Sequence, residues 1–186
     1  MKSHHRSVTL HNIIFPVWMI VWLPTWLWLF VIPANYLVDR LVFTLSAKKD
    51  HPERTAAFFR AHTWKLWLAG FAADFAGAAL LLGAAMLPDW LGYVTGAGTR
   101  TGILGWVSRH ISNPVMFNPF TDAAGLLFTL VCIAVSGLLI YAFDKAILNK
   151  TGAFTPAEAR RIARNMAVFT APYLYLIPVT WFRTFY

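Results

Sequence analysis

Charged residues are scarce in this chain of 186 residues, because only 13% are Asp, Glu, Lys or Arg. Soluble domains carry about a quarter. Cys132 is the one cysteine, so no intrachain disulfide can form. Also missing are the signature motifs of zinc proteases (HExxH), P-loop nucleotidases, serine hydrolases (GxSxG) and membrane alcohol phosphotransferases (paired aspartates). We therefore predict no catalytic residue, no metal site and no cofactor, and the sequence favours a role other than catalysis.

Hydrophobic residues, by contrast, make up 58% of the chain and fall in long runs. A soluble domain of this size cannot bury so much apolar surface, whereas a lipid bilayer acts as a solvent for it. The sequence therefore predicts an all-α, polytopic membrane helix bundle. We expect it in the cell membrane, and in the inner membrane where a cell has two.

The predicted bundle has about four transmembrane helices. Pro16, Pro24 and Pro33 interrupt the first apolar block, which is too long for one straight crossing. We predict a hairpin or re-entrant element there, bent near Pro24. The predicted spans are 8–23 (short or re-entrant), 26–46, 66–87, 122–143 and 166–182, joined by connectors 47–65, 88–121 and 144–165.

Local signals give the ends of several helices. Pro52 at a first helical position predicts a start, and Pro88 predicts the end of that helix. Asp122 suits the first turn of the third span, and Gly152 suits its C-terminal cap. Thr155–Glu158 reads Thr-Pro-Ala-Glu, which is a capping box before the last helix.

Basic residues set the predicted orientation. Connectors 47–65 and 144–165 hold five Lys or Arg each, against two in 88–122 and one near the C-terminus. The positive-inside rule makes the two basic connectors cytoplasmic and the C-terminus non-cytoplasmic, and Lys2 and Arg6 favour a cytoplasmic N-terminus. The net charge of +8 follows this pattern, so we expect contact with anionic lipid headgroups and no binding of nucleic acid. The predicted headgroup contacts are Lys48, Lys49, Arg160, Arg161 and Arg164.

Polar residues inside the spans are the candidates for function. Asp74 lies nine residues beyond Lys65, which places it about 13 Å below the cytoplasmic surface. Counting in the same way brings other polar residues to that depth or deeper: Asp39, Arg40, Ser136 and Tyr173 at a similar level, and Asn35 deeper. Two interpretations stay open, because these residues suit either an ion, proton or substrate path or an Arg40–Asp74 ion pair that joins two helices.

Two further patterns concern packing. Trp18, Trp22, Trp26 and Trp28 are spaced like an anchor at the membrane interface. The second span carries a row of small residues that favours close helix packing within or between subunits, from which we expect a homo-oligomer. The row consists of Gly70, Ala73, Gly77, Gly83 and Ala84.

Three functions fit these features. The first is a small channel or transporter for protons or cations with Asp74 and Arg40 at its centre. The second is a non-catalytic accessory or assembly subunit that binds another membrane protein. The third is an interfacial lipid-modifying enzyme, for which Asp39, Asp74 and His62 are the available groups.

Overall fold

The computed structural model describes residues 18–19, 22, 28–47, 52–96, 102–179 and 181. Within these ranges the chain forms helices and short turns, with no strand. The predicted segment 8–23, apart from Trp18, Met19 and Trp22, lies outside the described residues, as do Pro24, Trp26, Lys48 and Lys49. The α-helices are α1 (Trp28–Ala47), α2 (Pro52–Thr95), α3 (Gly102–Val107), α4 (Asn113–Phe117), α5 (Ala123–Thr151) and α6 (Pro156–Phe169). A π-helical turn spans Ser108–Ser112, and single 3-10 turns span Pro119–Thr121 and Tyr173–Leu176.

Three of the helices in the described ranges, α1, α2 and α5, are long and apolar enough to cross a membrane. Their outer faces carry large apolar side chains, such as Leu29, Leu127 and Leu138, that are 64–75% exposed. Exposed apolar surface of this extent suits a lipid solvent and not water. The described residues are thus all-helical, with helices compatible with a membrane protein. The predicted spans 26–46, 66–87 and 122–143 lie on these helices, apart from the two residues before α1 and Asp122 before α5.

Helix α5 lies at the centre and packs against α2 and α6, while α1 packs on α6 and α2. One core joins Phe43 of α1 to Phe58 of α2 and Leu148 of α5. A second core joins Leu81 of α2 to Cys132 of α5. Higher numbers on α2 therefore meet lower numbers on α5, so the two helices are antiparallel.

The end of the bundle that contains the first core is called here the basic end, because exposed arginines ring it. These are Arg54 and Arg60 on α2 and Arg160 and Arg164 on α6. The half of the bundle around the second core, with α3 and α4, is called the opposite half. The two names say nothing about which side of a membrane each end occupies.

Helix α2 does not end at Pro88 as predicted, but continues to Thr95. Proline lacks the N–H that would bond to the carbonyl four residues earlier, here Ala84. The Ser112 hydroxyl donates a hydrogen bond to that carbonyl oxygen at 2.6 Å. The π-helical turn thereby replaces the missing backbone bond, and the helix tolerates the proline. Residues 88–95 are consequently the last turns of α2 and not a loop.

The predicted fourth span, 166–182, is not one continuous helix in the described residues. Helix α6 ends at Phe169, and the chain bends through Thr170–Pro172 before the 3-10 turn. Pro172 has no N–H for the carbonyl of Val168, and the Tyr173 hydroxyl donates to that oxygen instead at 2.5 Å. The proline therefore ends the helix where a kink was expected, so the count of four spans stays a prediction.

The other helix ends follow the predicted signals. Gly152 caps α5 in the left-handed conformation, with φ of 63°. Thr155 and Glu158 form both hydrogen bonds of the capping box at the start of α6. The start of α5 differs from the prediction, because Asp122, expected in the first turn, is the N-cap, and Asn118 caps the preceding 3-10 turn. These ends depend on local chemistry alone, which is why the sequence predicts them well.

The row of small residues on α2 serves an internal contact at Gly77. A methyl group on Gly77 would lie 2.1 Å from Oγ of Ser136 and 3.2 Å from the carbonyl oxygen of Cys132, so α2 and α5 approach closely here. Gly83, in contrast, faces open space.

Candidate functional site

Three aspartates, one from each of the long helices, point into the bundle. Asp39 of α1 is 4% exposed and Asp144 of α5 is fully buried, while Asp74 of α2 is half-buried. Asp39 lies close enough to both Asp74 and Asp144 for their charges to repel one another. We refer to these three residues as the aspartate cluster.

The positions within the cluster follow from helix geometry. Gly77 meets Ser136, and the two helices are antiparallel, so Gly70 and Asp144 lie about 10–12 Å from that contact in the same direction. Oδ2 of Asp39 approaches Gly70, 3.6 Å from where a methyl group on it would lie. Asp39 and Asp144 are therefore at one level, and Asp74 is one turn deeper, towards the contact between Gly77 and Ser136.

The aspartate cluster has no cationic partner among the residues that the structure describes. Both carboxyl oxygens of Asp144 and Oδ1 of Asp74 are buried without a hydrogen-bond partner. A buried carboxylate without a partner is costly in a protein interior and more so in a membrane. The cluster therefore suits uncharged acids or a bound cation.

The alternative of an Arg40–Asp74 ion pair is wrong in this structure. Arg40 directly follows Asp39, and consecutive residues of a helix point about 100° apart. Asp39 points inward, while Arg40 is exposed with its guanidinium 4.5 Å from the centre of the Phe59 ring. The side chain of Arg40 therefore points away from the interior position of Asp39.

Other predicted site residues are divided between the interior and the surface. Ser136 is fully buried at the contact with Gly77. Tyr173 is 51% exposed and bonds to the end of α6, so the structure does not bring it to the cluster. Tyr175 takes that place, since it is buried and its hydroxyl donates to the backbone carbonyl of Asp74 at 2.5 Å. The bend after Phe169 shifts the register that sequence counting assumed.

Asp144 is the functional candidate that sequence reasoning missed. Asp144 and Lys145 are adjacent charged residues, as is typical of the end of a span, so Asp144 was assigned to connector 144–165. The sequence also contained evidence against this assignment, because Gly152 predicts that the helix continues beyond Lys150. Buried residues then follow a spacing of four along α5: Ser136, Ile140, Asp144 and Leu148.

A cavity of about 300 Å³ opens beside the cluster, between the first half of α1, the Asp74 turn of α2 and the segment after α6. Its polar lining residues are Asn35, Asp74, Thr170 and Tyr175. Its other lining residues are apolar or aromatic: Trp18, Val31, Ala34, Val38, Phe71, Phe169, Ala171, Pro172 and Leu174. Two of the residues predicted to form a path, Asn35 and Asp74, therefore line the same cavity.

Trp18 lies in the interior, against the prediction of an interface anchor. It is 2% exposed, and its indole N–H donates to the carbonyl oxygen of Val115 at 3.1 Å. Trp22 and Trp28 contact the rings of Phe75 and Phe71 edge-on. Trp18 and Trp28 therefore pack against the bundle, whereas Trp22 is exposed despite its contact with Phe75.

The predicted headgroup contacts that the structure describes lie at the basic end. Arg160 and Arg164 are exposed on α6. Arg161 donates to the backbone carbonyl of Ser46, at 3.4 Å, so it joins α6 to the end of α1.

The opposite half contains an aspartate of a different kind. Oδ2 of Asp122 lies 2.7 Å from Nδ1 of His110, and its Oδ1 accepts a hydrogen bond from the backbone N–H of Ala124 at 2.8 Å. The hydrogen bond with His110, followed by the one from Ala124, lowers the pKa of Asp122 below its ordinary value of 3.8. The ring of Trp106 packs against His110 at 5.1 Å.

No family model matches the chain, and comparisons with curated proteins and with solved structures find no similar protein. In the described parts of the chain, no three His, Cys, Asp or Glu side chains are placed to hold one metal ion. The aspartate cluster and the cavity beside it are therefore the features of the structure that bear on function.

Proposed function

We propose that this protein is a small membrane channel or transporter that carries protons through the aspartate cluster. The observation that supports this most directly is Asp144, whose two carboxyl oxygens are buried in the centre of the bundle without a hydrogen-bond partner. Ionisable groups inside membrane helices are costly and typically serve ion or proton movement. A purely structural position would be filled more stably by an apolar residue.

Protons fit the cluster better than metal cations. The carboxyl groups come from separate helices, and those that the structure describes do not converge as a ligand set for one ion. A proton binds to one carboxyl group at a time. Carboxyl groups that are close enough for their charges to repel one another can pass the proton from one to the next. A path from Asp144 and Asp39 to Asp74 would start about 10–12 Å inside the basic end. Monovalent cations are the alternative cargo.

The proposed setting is a cell membrane with the basic end facing the cytoplasm. The exposed arginines at that end support this orientation, since positive residues are retained on the cytoplasmic side. They also suit anionic lipid headgroups. A homo-oligomer is part of the proposal, because the exposed α2 face of Leu80, Gly83 and Leu87 would let a second helix approach closely.

Proton flux into liposomes tests the proposal. The purified protein is reconstituted with a trapped pH-sensitive dye, and a potassium gradient with valinomycin sets the voltage. We expect wild-type protein to acidify the interior and Asp74→Asn to reduce the rate to that of protein-free liposomes, because an amide cannot release a proton. Asp74→Glu should retain part of the rate.

Asp122→Asn is the matched control, since it makes the same chemical change at an aspartate far from the cluster. Thermal stability is recorded on every sample. Absence of flux in folded wild-type protein, or equal flux in wild type and Asp74→Asn, would refute a proton path. The first outcome would favour the accessory-subunit hypothesis, in which a different membrane protein co-purifies.

A further inference from the structure

The cavity beside Asp74 is open towards the side of the bundle. Its lining residues Val38 and Phe169 are 46% and 65% exposed, and they belong to outward-facing parts of α1 and α6. In a bilayer this mouth would face lipid chains, so an apolar molecule could enter from the membrane. The cavity lies where α6 ends at Phe169, and the segment that follows α6 forms part of its wall together with α1.

The lining of the cavity specifies the chemistry of a ligand. Most of the wall is apolar, which suits an apolar body, and Trp18 and Phe71 offer aromatic rings that attract cations. Asp74 supplies the acidic group of the lining. No Lys, Arg or His is among the lining residues of this cavity, all of which the structure describes. An anion would find no counter-charge there, whereas an organic cation would.

We propose that this cavity binds a lipophilic organic cation, an amine or quaternary ammonium ion, with its charge against Asp74 and its body against the apolar wall. Asn35 lies on the same wall and can accept or donate one further hydrogen bond. The size is consistent, because cavities from about 300 Å³ hold small drug-like molecules.

The inference rests on the proposed function, because it makes the same carboxyl the site for both the proton and the cation. When the cation arrives, the Asp74 acid releases its proton to water, and the carboxylate pairs with the cation. The cluster together with its bound cation then carries the same net charge as the protonated cluster did before the exchange. The titratable groups that face Asp74 are Asp39 from α1 and Tyr175 from the segment after α6. Such an exchange would couple movement of the cation to movement of protons.

Binding of a matched pair of probes tests the inference. The probes are phenylbutyl-trimethylammonium and its neutral analogue with carbon in place of nitrogen, and binding is measured by calorimetry on purified protein in nanodiscs. We expect the cation to bind wild type at least about tenfold more tightly than the neutral analogue, since a desolvated charge pair strengthens binding by about an order of magnitude or more. Asp74→Asn should remove that preference and leave binding of the neutral probe unchanged.

Two further variants locate the site. Ala34→Phe fills the cavity from an exposed position of α1. It should therefore lower the affinity for both probes while the protein stays folded. Asp122→Asn, outside the cavity, should change neither affinity. Equal binding of both probes, or a cation preference that survives Asp74→Asn, would overturn the inference.

The flux assay separates this inference from the proposed function. Proton flux that depends on Asp74, without preferential binding of the cation, overturns the inference and leaves the proton path standing. Preferential binding that depends on Asp74, without proton flux, supports the cavity as a cation site and overturns the proton path.

Discussion

The two halves of the bundle differ in whether their polar side chains have hydrogen-bond partners. In the opposite half, Asp122 bonds to His110 and Ala124, Ser112 bonds to the Ala84 carbonyl, and Trp18 bonds to Val115. Ser136, at the contact with Gly77 between the two cores, is the described residue nearest that half whose buried side-chain oxygen has no partner. Towards the basic end, such atoms occur in His62, Trp67, Asp74 and Asp144.

The difference is one of stability: polar groups with partners stabilise the fold, and buried polar groups without partners destabilise it. A partnered group contributes to stability, whereas a buried group without a partner costs about 1–3 kcal/mol. Proteins keep such costs where function needs them. Under the proposed function, the opposite half is the scaffold, and the aspartate cluster is the part that carries protons.

The largest effect should come from Asp144→Leu, which keeps the branched shape and removes the polar oxygens. We expect proton flux to fall to background and the free energy of unfolding to rise by about 1–3 kcal/mol, because a buried polar group without a partner is gone. Flux in liposomes and denaturation of the same sample measure both. A loss of both flux and stability would instead make Asp144 a structural residue, and the comparison between the halves would fail.

Sequence analysis predicted the helices better than it predicted the site. Helix ends such as those at Gly152 and Thr155–Glu158 depend on neighbouring residues, so the local sequence is enough to predict them. Membrane-length helices follow from apolar runs in the same way. The helix through Pro88 did not follow, because Ser112, 24 positions away along the sequence, provides its missing hydrogen bond.

The site was predicted in depth but not in direction. Asp39 and Asp74 lie in the interior as their depth suggested, yet Arg40 points away from them. A depth count treats a helix as a line, whereas the face of the helix decides which side chains meet. The burial of every fourth residue from Ser136 to Asp144 gives the face in the structure, whereas the sequence of α5 is apolar on all sides and does not.

An intermediate effect should come from the Ser112 hydroxyl in the opposite half. Ser112→Ala should lower the free energy of unfolding by about 1 kcal/mol, since the Ala84 carbonyl loses its donor. In a Pro88→Ala background the backbone N–H of residue 88 returns, so Ser112→Ala should then cost much less. A double-mutant cycle measured by chemical denaturation checks this coupling. Equal costs in both backgrounds would mean that Ser112 does not compensate for the proline.

The smallest effect should come from Asp122, and it sharpens the contrast because the residue type is the same as in the cluster. Folding lowers the pKa of Asp122, so its carboxylate stabilises the folded state above pH 3.8, and this contribution is lost as the pH falls through the lower folded-state pKa. Asp122→Asn should therefore lower the melting temperature slightly at neutral pH and leave proton flux unchanged. The difference in melting temperature from wild type should shrink as the pH is lowered below 3.8. A pH series of melting curves, with His110→Ala alongside, measures it. Flux that fell with Asp122→Asn at unchanged stability would extend the proton path into the opposite half, and partnered carboxyls would no longer mark the scaffold.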